Sequence, residues 1–522
     1  MPTDSPAPTL AHTAPRGRMA RIAADHPLAL LALWLIASAG LRPLLLPDEG
    51  RYANVARDML LGVGAGSLGE GRGWVPLLNG LPFFHTPPLA YWLDMAAMAV
   101  LGVNQLAARC APLVGAWVMG AAMFLALRRW HGAALAQRAL LVLATCPFFF
   151  IGGQYANLDM LVGGLIAATT LAFVRAVDGQ GGEARAPLRW VAAAWLLAAL
   201  AVLAKGLIGI VLPALVVGPW LLAQGRWRDV LRLLHPLGLA CFALLALPWF
   251  VLMQSAYPGF FDYFIVEQHF RRFAMASFNN VHPAWFYLAV LPALTLPWTL
   301  WLPAAVRARS AARPQRALYL WWLVAVVGFF SLPSSKLVGY VLPALAPWCV
   351  LLAFGIQPFG SAARAALVAA ALFCVAVVVA LAVVAPHTSK AAGLALAAQH
   401  AAGDRVVFVD EMFYDLPFYA GLRAPPIVAS DWADPDLPRH DNWRKELYDA
   451  ARFDPARGRE LLWPIARLAE LTCHPHAVWF VVDPARGPAA TTVPGVMGVA
   501  GVREVYVDKN VRLLRAPGRA CR

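Results

Sequence analysis

Apolar runs close to membrane thickness recur from Pro27 to Ala385, and no other feature restricts the fold of this chain as much. Candidate spans fall at 27–46, 107–127, 136–152, 160–177, 189–204, 206–224, 232–254, 284–304, 317–332, 337–357 and 364–385. A helix of about twenty apolar residues crosses the hydrocarbon core, and helices are one of only two ways to satisfy backbone polar groups there. The 88–102 stretch is either one more span or a helix lying at the interface. These runs predict an α-helical polytopic membrane protein with about 11–13 transmembrane helices. Composition agrees: 60% of the 522 residues are hydrophobic and only 14% are charged, unlike a soluble enzyme with a single anchor.

The formal charge of +14 would suit a nucleic-acid binder, but the arginines are spread through short loops between apolar runs. They read as topology determinants beside anionic lipid, and no basic domain is left to bind nucleic acid. With the N-terminus inside, one set of loops is basic and plain, as at Arg128 and Arg129, Arg226 and Arg228, and Arg307 and Arg309. The other set, 48–87, 152–159, Lys205, 257–282 and 334–336, is aromatic and mixed in charge. This sorting predicts an odd number of spans and puts the second set on the outer face. Residues 1–24, rich in Pro, Ala, Thr and Arg, are expected to be a disordered cytoplasmic tail. The run that follows is too long for a signal peptide and is expected to stay as the first span.

The functional reading starts from Pro47-Asp48-Glu49-Gly50-Arg51-Tyr52, directly after that first run. Ionisable residues at a membrane boundary are costly unless paired, wetted or used. Asp48 is either a helix cap or a functional carboxylate. From Arg51 to Leu60 the spacing of Tyr52, Val55, Ala56 and Met59 predicts an amphipathic helix lying on the membrane surface. The whole loop, 47–88, is long for a connection and so marks function. Beyond Pro386 the chain is less apolar, with strand-like pieces at Arg405–Val409, Ala477–Val482 and Val502–Leu514. The expected organisation is the tail, a membrane domain over 25–386 and a small outer α/β domain over 387–522. Cys473 and Cys521 fall in that last part, where pairing and remaining free are both open. Asp410-Glu411 and Phe413-Tyr414, just beyond a strand, either form a solvated turn or touch an acceptor.

Further short segments stand out along the chain. They are Pro76-Leu77-Leu78-Asn79-Gly80, Pro87-Pro88-Leu89-Ala90-Tyr91-Trp92, Asn157-Leu158-Asp159, Ala204-Lys205-Gly206, Glu267-Gln268-His269-Phe270-Arg271-Arg272 and Ser335-Lys336-Leu337 with Tyr340. With Asp48-Glu49-Gly50-Arg51-Tyr52-Ala53, their order over Leu46 to Pro347 resembles the GT-C superfamily of glycosyltransferases that use polyprenyl-phosphate sugars. The likeness is greatest to the bacterial lipid A aminoarabinose transferases and more distant to protein O-mannosyltransferases. The resemblance implies an inner-membrane enzyme with its site on the periplasmic side. Its donor would be a sugar on undecaprenyl phosphate, and its acceptor lipid A or another envelope molecule.

On that reading Asp48 and Asp159 are the candidate catalytic carboxylates. Glu49, Arg51, His85, Lys205, Glu267, His269, Arg272, Lys336 and Tyr340 are the candidate contacts to the donor phosphate and substrate. Cations suit a departing lipid phosphate. A carboxylate suits a hydroxyl acceptor as base, or a cationic sugar amine as partner. The family usually carries a Glu-Lys pair before the double proline, and this chain has His85-Thr86 instead. That departure leaves the sugar and the acceptor open. No cofactor is firmly implied; a divalent metal ion on His85 and His269, with Glu267 or Asp48, is the one expectation of that kind. A transporter or lipid flippase would need charges in mid-span and inverted repeats, and the apolar runs contain neither. A pure assembly scaffold would not need acid, cation and aromatic residues gathered on one face.

Overall fold

The structure, a computed structural model, describes residues 25–62, 73–179, 186–271, 280–308, 313–356, 359–486 and 501–519. The N-terminal tail, Arg272 and Cys521 therefore lie outside the described residues, as do the side chains of His269 to Arg271. The first helices in chain order are α1 (Pro27–Ile36), α2 (Asp48–Leu61), α3 (Leu89–Leu101), α4 (Cys110–His131), α5 (Ala133–Ala144), α6 (Pro147–Gly153), α7 (Asp159–Ala176) and α8 (Arg189–Lys205). There follow α9 (Ile208–Leu222), α10 (Trp227–Leu233), α11 (Pro236–Ala256), a π-helical segment (Asp262–Arg271), α12 (Phe286–Leu294), α13 (Leu302–Arg307) and α14 (Arg313–Ser331). A 3-10 turn (Val338–Ala344) leads into α15 (Leu345–Gly355), and α16 (Ser361–Val384) closes the helical part.

Among the described residues five helical spans are long and apolar enough to cross a membrane, and two bent pairs bring the number to seven. The bends are a finding against the expected 136–152 and 284–304 spans: α5 and α6 meet at 67°, and the halves of the second pair at 103°. Pro147 opens α6 and Pro297 precedes the second half; proline lacks the amide that would continue a straight helix. The expected 27–46 span is also shorter, because α1 ends at Ile36 and 37–42 form a turn. On α16 the buried residues Ala363, Ala366, Ala370, Cys374 and Val378 form one stripe, while Leu372 and Val383 are exposed. A helix that shows most of its leucine and valine outward is at home only in lipid.

Small residues set the closest helix crossing. Gly115 of α4 lies on the backbone of Met160 and Leu161, and Gly164 of α7 lies on the Gly115 carbonyl. Within lipid, helix association depends on such backbone approach rather than on apolar burial. Gly164→Val is expected to lower the melting temperature in detergent clearly, by forcing α4 and α7 apart, whereas Gly218→Val, whose surroundings are open, should leave it nearly unchanged. Equal melting curves for the two variants would show that this crossing carries no stability.

The C-terminal part holds α17 (Lys390–Ala397), β3 (Arg405–Val409), α18 (Leu416–Ala420), β4 (Ile427–Ser430), α19 (Trp443–Ala451), α20 (Pro455–Leu461), β5 (Leu462–Pro464), β6 (Val478–Val482), β7 (Arg503–Val507) and β8 (Arg512–Ala516). The numbering follows a short hairpin of β1 (Leu77–Leu78) and β2 (Leu81–Pro82) in the long loop. The six-stranded sheet has the order β5-β4-β3-β6-β8-β7. β3, β4, β5 and β6 run parallel, and β8 and β7 close it as antiparallel strands. Alternation along the strands gives two faces. Val407 and Val409 pack with Val478 and Phe480 on one face, while Val406 and Phe408 join Trp479, Val481 and Leu513 on the other. Cys473 is disulfide-bonded.

That second face belongs to the same apolar cluster as Ala53, Val55 and Met59 of α2 and Leu78 and Leu81 of the hairpin. This corrects the expected surface helix. α2 is a helix as expected, but its polar side is not turned to water: Asn54, Arg57 and Asp58 are buried. Arg57 donates to the Leu422 carbonyl and pairs with Asp58 at 3.0 Å, and Asn79 Nδ2 donates to the Pro426 carbonyl at 3.0 Å. A buried polar group must find a partner, and the C-terminal part provides it.

Candidate functional site

The site is built at the first turn of α2. Pro47 is the N-cap and no side chain caps the helix, so Asp48 does not serve as a cap. Its side chain stays 40% exposed, which leaves it reachable. Arg51 Nη2 donates to Asp48 Oδ1 at 2.6 Å, and the Tyr155 hydroxyl lies 3.5 Å from Oδ2. A carboxylate at a helix N-terminus also gains from the positive end of the helix dipole.

Glu49, one residue on, is a different kind of group. It is wholly buried, and its carboxylate accepts from Arg42, from Arg109 Nε at 3.0 Å and from the amides of Leu45 and Ala156 at 3.0 and 2.8 Å. Burial alone would raise its pKa, but Arg109 and Arg42 outweigh burial and hold it at about 2. Both of its oxygens are already engaged by protein donors. Glu49 pins four pieces together: the 37–45 turn, α2, the start of α4 and the 154–158 loop.

The second cluster joins helix ends of opposite polarity. Asp159 is the first residue of α7 and Lys205 the last of α8, so carboxylate and ammonium each sit at the favourable pole. Lys205 pairs with Asp159 and lies over the Tyr340 ring, 4.7 Å from its centroid. Asn157 holds the other side, donating from Nδ2 to Asp159 Oδ2 at 3.4 Å and accepting the Asp159 amide at 3.0 Å. Tyr52 lies within electrostatic reach of Asp48, Arg51, Asp159 and Lys205 together. Burial raises the pKa of that phenol, and it stays a neutral hydroxyl. Asp48, Arg51, Asp159, Lys205 and Tyr340 thus form one continuous group around Tyr52.

The other candidates are held elsewhere. Lys336 is buried and donates to backbone carbonyls, to His282 at 2.9 Å and to Pro333. Glu267 faces α19, 3.5 Å from Lys445 Nζ. The His85 ring lies between Phe83 and Tyr263, with centroids at 4.5 and 5.9 Å. Thr86 shares a 2.9 Å hydrogen bond with the Tyr91 hydroxyl. Among the described residues no group of three or more His, Cys, Asp or Glu side chains is placed to hold a metal ion; the His269 side chain is outside that set. Asp410 turns back to accept from Ser430 Oγ at 2.7 Å, which is the behaviour of a turn.

Sequence reasoning missed Arg42, Arg109 and Tyr155, and carried Tyr52 only as part of the opening motif. The two arginines were visible as charges lodged within or at the edge of apolar runs, the usual sign of an internal partner. The tyrosines carried no such signal.

Residues 85–252 match the family described as dolichyl-phosphate-mannose-protein mannosyltransferase. The undecaprenyl phosphate-alpha-4-amino-4-deoxy-L-arabinose arabinosyl transferase of Erwinia tasmaniensis is 33% identical over 364 residues, 68% of this chain and 63% of that protein. The protein of the same name from Pseudomonas aeruginosa is 34% identical over 313 residues, 59% of this chain and 54% of its own. The matches therefore span less than two thirds of these relatives. Crystal structures of ArnT from Cupriavidus metallidurans cover 95% of this chain and 98% of theirs. They superpose with TM-scores of 0.78 with bound undecaprenyl phosphate and 0.76 in the apo state, at 21% and 20% identity. In fold, then, the chain is a polytopic membrane protein built like these two structures, and in sequence it is similar to the undecaprenyl phosphate-aminoarabinose arabinosyl transferases.

Proposed function

We propose that the chain is an integral-membrane glycosyltransferase that moves a sugar from undecaprenyl phosphate to an acceptor such as lipid A. Its place is the inner membrane, with the site opening on the periplasmic side. The observation that carries this reading is the joint placement of the half-exposed Asp48 and the Lys205–Asp159 pair at helix ends around Tyr52. The relatives named above act on undecaprenyl-phosphate aminoarabinose, and a lipid-borne donor needs its site at the bilayer boundary.

In the reaction an acceptor oxygen attacks the anomeric carbon, and the bond from that carbon to the lipid phosphate oxygen breaks. Its electron pair leaves with the phosphate, and the configuration inverts. Lys205 is the group suited to receive that charge: its ammonium is held between Asp159 and Tyr340, so a phosphate oxygen can join or displace Asp159 without a large movement. A hydroxyl acceptor passes its proton to Asp48. A phosphate acceptor arrives deprotonated, and Asp48 then orients the sugar.

Lys205→Met, close in length but uncharged, is expected to lower kcat/KM by roughly 100-fold, read as transfer of radiolabel from undecaprenyl-phosphate sugars to envelope extract. The labelled product of the wild type identifies the acceptor class. Undiminished transfer by Lys205→Met would remove this residue from the phosphate site. If purified wild type consumes no donor from a broad set yet binds undecaprenyl phosphate, carrier transport is the better reading.

A further inference from the structure

The first turn of α2 is finished by residues nearly 400 positions later in the chain. Arg51 places one guanidinium nitrogen on Asp48 and the other on Glu446 of α19. The Tyr414 hydroxyl donates to the second Glu446 oxygen. The rings of Tyr52 and Tyr414 flank the guanidinium, with centroids 5.0 and 5.8 Å away. Arg51 and Glu446 are 15% and 10% exposed, against 40% for Asp48. The pair is therefore sheltered, while the carboxylate it serves is open.

The backbone is fitted to this contact. Tyr414 and Asp415 follow β3, at the carboxyl edge of the parallel strands and beside the point where strand order reverses between β3 and β6. In open α/β sheets that edge is where ligands are usually received, and here it receives a helix end. A Cβ on Gly50 would meet the Asp415 amide nitrogen at 2.9 Å, so only glycine lets the loop seat on the first turn. Asp415 fixes the loop in turn, accepting from Thr388 Oγ1 at 2.7 Å and the Ser389 amide at 2.8 Å. On the other side of α19, Lys445 reaches Glu267, so one short helix touches both the first and the fourth of the outer charged segments.

We propose that Glu446 is a positioning residue of the transfer site: it fixes Arg51 and, through Arg51, the direction of the Asp48 carboxylate. The C-terminal sheet is then part of the active site and not an appended module. The inference rests on the glycosyltransferase reading above. An unanchored Arg51 swings with Asp48, and a displacement near 1 Å in a reacting group costs about 100-fold in rate.

The test uses the full-length protein in detergent or nanodiscs with undecaprenyl-phosphate sugar as donor. Glu446→Gln, which keeps the shape and loses the charge, is expected to lower kcat by about 10- to 100-fold with donor KM within about twofold. Glu446→Asp should recover part of the loss. A merely structural role predicts instead that activity falls only as the folded fraction falls, with no recovery by Asp. Tyr414→Phe reads the same link without removing a charge, and should give a smaller fall in kcat at unchanged melting temperature. If Glu446→Gln does not fold, an unchanged kcat in Tyr414→Phe overturns the proposal. Wild-type rates in folded Glu446→Gln overturn it while leaving the enzyme reading intact. Absence of any transfer by wild type overturns both.

Discussion

Asp48→Asn is expected to reduce sugar transfer by about 1,000-fold while leaving folding and undecaprenyl-phosphate binding close to wild type. The substitution keeps the size and one acceptor oxygen, so Arg51 and Tyr155 retain partners. It removes the one solvent-reachable carboxylate of the first turn of α2: Asp48 is 40% exposed, and Glu49 is fully buried. The effect belongs in kcat, because the charge is used as the acceptor attacks and not to hold the lipid carrier. The check is single-turnover loss of label from the carrier, alongside equilibrium binding of undecaprenyl phosphate. A variant that still transfers at wild-type rate would remove Asp48 from the chemistry. A variant that loses binding and rate together would make it a substrate contact.

Its neighbour should fail in a different way. Glu49→Gln is expected to destabilise the fold by about 3–5 kcal/mol, because it leaves Arg42 and Arg109 charged and buried without their counter-ion. The measurement is thermal unfolding in detergent compared with Asp48→Asn, which should hardly move. The pH dependence has a definite sign. The Glu49 carboxyl sits at about 2 in the folded protein, below its ordinary 4.5, so it binds protons less readily folded than unfolded. Its contribution is complete above about pH 4.5 and is lost as pH falls towards 2. Wild type should therefore lose more stability than Glu49→Gln between pH 5 and pH 3. Parallel curves for the two proteins would show that the buried pair contributes nothing to acid sensitivity.

Two adjacent carboxylates, one predicted to inactivate and the other to unfold, illustrate what could be read in advance. The 3.6-residue periodicity gives α2, and its rotation of about 100° per residue sends neighbours to different surroundings. Which of the two surroundings is the buried one depends on Arg109, sixty positions on, and on the turn at 37–42. Neither is written in the local pattern.

Several things were determined by the sequence alone. Hydropathy forces the helical membrane architecture, because unpaired backbone groups cannot exist in lipid. The short β-branched and aromatic runs at Arg405–Val409 and Ala477–Val482 mark strands, found as β3 and β6. The motif order carries the resemblance to lipid-phosphate-dependent transferases. The tertiary structure decided the rest. It bent the 136–152 and 284–304 spans, since a proline shows where a helix can break but not by what angle. It turned the polar side of α2 from water to the C-terminal part, because an amphipathic pattern distinguishes two faces without saying what each one meets. It also joined Asp48 to Glu446 across 398 positions through Arg51, for charges pair by distance in space, and distance along the chain carries no record of it.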